Sequence, residues 1–156
     1  MSYDRIHHTK IFVSDMDRSI HFYRDLLEFE LVYDAERSEV PAYDECMGLE
    51  SVHVKVAMLW YESEANSIGL IQFLHPDMNR WEPCVTTAGF STLAISVTDI
   101  DSEYERLKTA GVTSISDPVD IIRDGGRRTA RCCYIHDPDG LPIELYEAFA
   151  TLDKTK

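Results

Sequence analysis

The stretch Val13-Ser14-Asp15-Met16-Asp17 returns 84 residues later as Val97-Thr98-Asp99-Ile100-Asp101. In both copies it joins an alternating pattern of apolar residues, typical of a strand, to a pattern with helical spacing. A duplicated segment of this kind indicates that two related folding units follow one another along the chain. We therefore interpret the sequence as a tandem repeat.

Each copy is predicted to begin a helix. Ser14 or Asp15 can cap the first helix, because short polar side chains accept hydrogen bonds from the free N–H groups of a first turn. Thr98 or Asp99 can cap the second in the same way. Apolar residues then follow at helical spacing, in the first copy Ile20, Tyr23 and Leu27, and in the second Ile100, Tyr104 and Leu107. Each helix is expected to cover one face of a sheet.

Three further β-rich segments follow each helix. They are 30–33, 52–60 and 68–74 in the first copy, and 112–115, 130–135 and 142–146 in the second. The sequence Asp137-Pro138-Asp139-Gly140 predicts a tight turn between the last two. The order βαβββ, found twice, predicts an α+β fold with a first module at 1–74, a linker at 75–89, a second module at 90–148 and a tail at 149–156.

Charge and composition narrow the classes of partner. The chain has 156 residues, with 15 Lys and Arg against 28 Asp and Glu, and a net charge of −13. This charge argues against nucleic acid and anionic membranes as partners. The sequence contains no apolar run of membrane-spanning length and no secretory pattern at its start, so we expect a cytoplasmic protein. The four cysteines lack a Cys-x-x-Cys spacing, and we interpret them as reduced.

Polar residues recur at matching strand positions. The Ile and Val rows of the first strands should face the helices, which turns the rows containing His8 and Thr92 to the other side. Gln72 and Glu144 each interrupt an apolar last strand, and we interpret them as counterparts. A buried amide or carboxylate without a partner costs several kcal/mol. A ligand, a metal ion or a polar network is therefore expected beside them.

The donor types suggest a metal ion. His8, Gln72 and Glu144 offer nitrogen and oxygen atoms, which suit Mn, Co, Ni, Fe or Zn rather than a thiolate-selecting site. Thr92 supplies a hydroxyl where an imidazole would coordinate better. The alternative is that His8 and Glu144 hydrogen-bond each other across a polar cavity.

Two signatures resemble a known family. The opening segment 8–27 is similar to the start of the vicinal oxygen chelate superfamily, and 137–145 is similar to its second signature. That group includes glyoxalase I, methylmalonyl-CoA epimerase, extradiol dioxygenases, and the fosfomycin and bleomycin resistance proteins. The resemblance covers about residues 5 to 147. It implies paired βαβββ modules whose curved mixed sheets surround a shared cleft, often in a homodimer.

By position, the resemblance implies roles for the polar residues. His8 matches the first metal ligand of the family, Gln72 the second and Glu144 the fourth. Thr92 falls where catalytic members have His or Gln, which argues against an extradiol dioxygenase. Glu144 is implied both as a ligand and as the catalytic base.

A second catalytic candidate is His53. If Val54 and Val56 face the helix, then His53 and Lys55 point to the side of His8, where His53 can shuttle protons. The alternative is that His53 has no catalytic role and only forms hydrogen bonds with neighbouring polar residues.

Three other side chains are candidates for binding substrate. Lys10 and Phe12 share the predicted face of His8, and Thr92 is expected on the same cleft. Arg131 belongs to the cluster 123–131 around Gly125-Gly126, where arginines can bind a carboxylate, phosphate or thioester. The alternative is a solvated basic loop paired with surface acids. The segment 34–50 is expected to be a second long loop.

These features give two hypotheses of function. The first is a glyoxalase-like isomerase, epimerase or lyase that acts on a carbonyl or carboxylate substrate through a metal-held enediolate. The alternative is a metal-free binding protein that sequesters a small hydrophobic or aromatic compound. Its expected walls are Trp60, Trp81, Tyr43 and Phe12. The hydroxyl of Thr92 favours the alternative.

Overall fold

The computed structural model describes residues 6–79, 86, 88–123 and 125–149. The chain divides into two compact units, Met1–Trp81 and Glu82–Lys156. Each unit holds one four-stranded sheet of mixed direction. The predicted α+β architecture of two modules is confirmed. Trp81, one of the predicted wall residues, lies outside the described residues.

The first sheet has the strand order β1-β4-β3-β2. Its first strand runs parallel to β4, and the other neighbours are antiparallel. The elements are β1 (Thr9–Phe12), α1 (Met16–Ile20) with a π-helical continuation (His21–Leu26), β2 (Glu30–Arg37), α2 (Pro41–Met47), β3 (His53–Tyr61) and β4 (Ser63–His75). Helix α2 lies inside the segment 34–50 that we expected to be a loop.

The second sheet has the corresponding order, β5-β8-β7-β6. Its elements are β5 (Leu93–Ser96), α3 (Ile100–Thr109), β6 (Val119–Arg123), β7 (Arg127–His136) and β8 (Pro142–Ala148). The predicted strand at 112–115 is wrong, since that segment forms an isolated bridge from Ser114 to Ile135. The second strand of this module is instead β6, which pairs with β7 across Gly125 and Gly126. Both glycines have positive φ, so they allow the tight turn that brings β6 beside β7.

The helices begin where the repeat predicts. The side chains of Asp15 and Asp99 accept hydrogen bonds from the backbone N–H groups of Arg18 at 2.9 Å and Ser102 at 3.1 Å. These equivalent aspartates therefore cap α1 and α3. No helix in the described part of the chain has the length and apolar content of a membrane span.

Helix α1 contacts β3 and β4 and covers one face of the first sheet. Ile11 pairs with Leu70 on this face, which we call the helix face, and both side chains are buried. We call the opposite side, towards which His8 and Phe12 alternate, the His8 face. The second sheet likewise has a helix face, where Ile95 pairs with Leu145, and a Glu144 face.

The orientation predicted for β3 is wrong. Val56 pairs with Ile71, which in turn pairs with Phe12, so Val56 lies on the His8 face. Val54, two residues away, lies on the same face. The reason is α2, whose Tyr43 and Met47 pack against the buried cluster of Val52, Val54 and Ile71. Helix α1 covers one face of β3 and α2 covers the other. A buried valine of β3 can therefore face either helix, and its position does not show which face α1 covers.

The hairpin between β7 and β8 depends on Asp137, whose side chain is only 4% exposed. One carboxylate oxygen accepts hydrogen bonds from the backbone N–H groups of Asp139 at 2.9 Å and Leu141 at 2.8 Å. Gly140 completes the turn with φ of 85°. The register of β8, and with it the position of Glu144, follows from this turn.

The substitution Asp137→Ala is expected to lower the free energy of unfolding by about 1–3 kcal/mol, because it leaves two backbone donors without their acceptor. Asp34→Ala, at an exposed position of β2, serves as the control and should change it by about 0.5 kcal/mol or less. Urea denaturation followed by circular dichroism measures both. Equal effects of the two substitutions would contradict the role of Asp137.

Candidate functional site

His8 lies directly against the backbone of β4. A Cβ atom at Gly69 would be 3.3 Å from Cδ2 and 3.6 Å from Nε2 of His8, so the ring lies in close contact with the glycine. Its Nδ1 is 2.7 Å from Nδ1 of His7. Burial, followed by the charges of His7 and Lys10, lowers the pKa of His8. These surroundings favour the neutral imidazole, which can accept a proton or coordinate a cation.

Gln72 lies on the other side of the sheet. Its Oε1 accepts a hydrogen bond from the backbone N–H of Met16 at 2.9 Å, and its Nε2 donates one to the carbonyl of Ser14 at 3.1 Å. Both polar atoms of the amide are therefore engaged at the start of α1. Gln72 and His8 are on opposite faces, and the structure does not bring them together.

The strand registers correct the predicted pairing of Gln72 with Glu144. Lys10 pairs with Gly69 in the first module, and the equivalent Ala94 pairs with Glu144 in the second. The positional counterpart of Glu144 is therefore Gly69. The error arises because Gln72 interrupts its strand in the same way as Glu144, although it does so to hold a helix terminus.

The predicted orientation of His53 towards the side of His8 is also wrong. Its Nε2 is 2.6 Å from Oε1 of Glu36. Glu36 pairs with Lys55, and Lys55 pairs with Gln72, which places this group on the helix face. His53 thus contacts a carboxyl group of its own unit on the face opposite His8.

Glu144 lies among neutral hydrogen-bond donors. It pairs across the hairpin with Tyr134, and Cys132 lies two residues before Tyr134 on the same face of β7. Burial, and then the charge of Glu144, raises the pKa of Tyr134. The same two causes raise the pKa of Cys132. The Glu144 face therefore presents one carboxylate beside a phenol and a thiol that keep their protons.

Thr92 directly precedes β5 in the unit of Glu144, and its hydroxyl is engaged. The hydroxyl donates a short hydrogen bond to the carbonyl of Pro142. The oxygen is therefore already held by the backbone of β8, next to the strand position of Glu144.

Arg131, a predicted substrate ligand, points to the helix face of the second sheet. Its guanidinium pairs with Asp101 of α3, and its Nε is 3.1 Å from Asp120 of β6. Arg128 is 3.5 Å from Asp120 and stacks over the ring of Phe149. For these two arginines the structure shows the alternative, basic side chains paired with acids of the same unit.

Lys10 and Phe12 lie on the His8 face, as predicted. Phe12 is 55% exposed and stacks on Phe73 with 6.1 Å between ring centroids. An apolar depression beside this pair is lined by Phe12, Leu49, Phe73, Pro76, Asp77, Met78 and Asn79. This end of the first sheet offers an open aromatic surface.

The side chains do not supply a complete set of metal ligands. Over the ranges that the structure describes, no three His, Cys, Asp or Glu side chains are grouped so that they could hold an ion. The registers give two equivalent positions in each module, namely 8 and 69 in the first and 92 and 144 in the second. His8 and Glu144 are strong donors, Gly69 has no side chain, and Thr92 has a hydroxyl. The family metal therefore does not fit this set.

Sequence reasoning missed Tyr134, Cys132 and Gly69. Tyr134 had a usable signal, because strands joined by the turn at 137–140 pair outward from it and place Tyr134 opposite Glu144. Cys132 follows two residues away on the same face. The sequence did not indicate the importance of Gly69, because glycine has no side chain and is not a candidate donor.

The two sheets define a protein of paired βαβββ modules. Of the two last strands, only β8 carries a carboxylate, Glu144, at the equivalent position. The chain belongs to the Glyoxalase/Bleomycin resistance protein/Dioxygenase superfamily, whose family model matches residues 5–145. The resemblance drawn from the two signatures is thereby confirmed.

Two curated relatives and one solved structure illustrate the similarity. A probable lactoylglutathione lyase of Vibrio parahaemolyticus is 32% identical, over 94% of this chain and 93% of its own length. A 2-epi-5-epi-valiolone epimerase of an Actinomyces species is 28% identical, over 90% and 77%. A glyoxalase family protein of Bacillus cereus has the same fold, with a TM-score of 0.82 at 24% identity, over 96% and 97%.

The substitution Gln72→Ala is expected to lower the free energy of unfolding by about 1–3 kcal/mol, since it removes the partners of Met16 N–H and Ser14 C=O. Gln72→Glu keeps an acceptor for Met16 but replaces the donor to Ser14, so it too should destabilise the fold. Chemical denaturation measures both variants. Unchanged stability in both would show that Gln72 is not the structural anchor of α1.

Proposed function

We propose that the chain is a small-molecule isomerase, epimerase or lyase that moves a proton beside a carbonyl or carboxylate group, with Glu144 as its base. The observation that supports this proposal is the pairing of Glu144 with Tyr134 on the face of the second sheet that α3 leaves open. A carboxylate next to a protonated phenol is a base next to a hydrogen-bond donor.

The two groups have complementary tasks in this chemistry. The carboxylate of Glu144 removes a proton from the carbon beside the carbonyl and returns it on the other side or to a neighbouring atom. The hydroxyl of Tyr134 donates a hydrogen bond to the carbonyl oxygen, where negative charge develops. Its raised pKa keeps this hydroxyl protonated.

The relatives support this class of reaction. One is named as a lyase of a lactoyl thioester and the other as an epimerase. Both reaction types commonly break and re-form a bond to hydrogen at carbon. The proposed proton transfer uses only the side chains of Glu144 and Tyr134.

The proposal predicts hydrogen exchange. The native protein should exchange the C2 proton of S-lactoylglutathione for deuterium in D2O, as followed by proton NMR. Glu144→Gln should slow the exchange by about 100-fold or more, the usual contribution of a general base. Tyr134→Phe should slow it by about 100- to 1,000-fold, because one donor to the developing oxyanion is lost.

Glu147→Gln is a matched control, because Glu147 lies on β8 but pairs with Arg131 rather than with Tyr134. Its rate should stay within about twofold of the native rate, since it does not touch the Glu144 face. Exchange of the C2 proton of lactate and of the C3 protons of pyruvate is measured in the same way. An exchange rate no higher than that of buffer alone with all three compounds would rule out the proposed proton transfer.

A second function, metal-free sequestration of a small apolar compound, is favoured by the exposed Phe12–Phe73 stack. Of the predicted walls, Tyr43 instead packs against the Val54 cluster. Trp60 donates from its indole nitrogen to Glu30 at 3.1 Å. A binding protein of this kind would therefore use Phe12 and Phe73 as its main apolar contacts.

This second function predicts that Phe12→Ala and Phe73→Ala each weaken the binding of Nile red by about tenfold, the effect of losing one buried aromatic contact. Fluorescence titration measures the affinity. Leu74→Ala is the control, because this exposed residue points to the opposite face of β4. Equal losses in all three variants would show that the Phe12–Phe73 surface is not the binding site.

A further inference from the structure

We infer that this chain has lost the divalent-metal site of its superfamily through one missing donor in each module, at Gly69 and at Thr92. The inference does not rest on the proposed function, since a chain without a metal ion can either transfer a proton through Glu144 or bind a compound without changing it. It rests on the strand registers and on the surroundings of the two positions.

The first module keeps the donor on its first strand and lacks the donor on its last strand. Lys10 pairs with Gly69, and the ring of His8 lies on the glycine. A carboxylate at position 69 would therefore extend beside Nε2 of His8. Gly69 does not have a positive φ, so its backbone accepts a side chain, provided that the His8 ring moves by a few tenths of an ångström.

The second module shows the complementary loss. Glu144 is retained at the position equivalent to Gly69. Thr92, at the position equivalent to His8, offers a hydroxyl that donates its hydrogen bond to the carbonyl of Pro142. A neutral hydroxyl is a weak ligand for Zn, Ni or Co compared with imidazole.

Gln72 does not replace the missing donor of the first module. Its carbonyl oxygen accepts from Met16, and its nitrogen donates to Ser14, both on the helix face. Turning the amide towards His8 would need a change of strand register, because alternate residues of a strand point to opposite faces. Each module therefore keeps one strong donor at its two equivalent positions, whereas a transition-metal site commonly needs three or four.

Metal titration of the full chain tests this inference. Native protein freed of metal with EDTA is titrated with NiCl2 or ZnCl2 in competition with a chromophoric chelator, and the bound metal is measured by mass spectrometry after gel filtration. We expect no stoichiometric binding at micromolar ion. The double variant Gly69→Glu/Thr92→His is expected to bind the added ion, because it restores a carboxylate beside His8 in the first module and an imidazole at the equivalent position of the second.

Three further variants assign the site. His8→Ala in the double-variant background should weaken the new binding, because it removes the imidazole beside position 69. Gln72→Glu in the native background adds a carboxylate on the helix face and should create no site. Far-UV circular dichroism establishes that each variant is folded, and Gly69→Asp offers a shorter carboxylate if Gly69→Glu fails to fold.

The outcomes are distinct. Native protein that binds one ion at micromolar concentration, and loses it in His8→Ala or Glu144→Ala, would overturn the inference. The inference would also be overturned if both double variants, with Glu or with Asp at position 69, fold but bind no ion. Gly69 and Thr92 would then not be the positions of the missing donors. Failure of the exchange experiment above would leave this result unaffected, since the titration measures the ion and not the reaction.

Discussion

The parallel pairing of the first and last strands within each module determines which side chains share a face. Thr9 lies opposite Ile68 in the first module, and Leu93 lies opposite Ile143 in the second. Residues at the same register on neighbouring strands point to the same face of the sheet. In the first module this alignment places His8 against Gly69. In the second it places Glu144 opposite Ala94, two residues after Thr92. The chemistry available to the protein follows from that alignment.

Local patterns predicted much of the fold correctly. The two aspartate caps, the helices and the Asp137 turn each depend on a few neighbouring residues, so the sequence shows them directly. The identity of the second strand of the second module depends on pairing across Gly125 and Gly126, and the choice between 112–115 and 119–123 was wrong. Helix α2 was missed for a related reason, because its stability comes from packing of Tyr43 and Met47 on a sheet whose orientation was not known.

The candidate site was predicted only in part, for a physical reason. Lys10 and Phe12 lie on the His8 face as expected, whereas Gln72, His53 and Arg131 all lie on helix faces. Each of these three polar side chains already has partners: two backbone groups for Gln72, Glu36 for His53, and two aspartates for Arg131. A polar residue in an apolar strand shows that some partner exists, but it does not show whether that partner is a ligand or the protein itself.

The separation of the paired strands along the chain also affects synthesis on the ribosome. Translation produces β1 almost 60 residues before the part of β4 that pairs with it. The first sheet therefore closes only when its final strand has left the exit tunnel, while the second module is still being made. For β5 the partner is β8, near the end of the described chain. A nascent chain released before β8 is complete would thus contain a finished first module followed by an unclosed one.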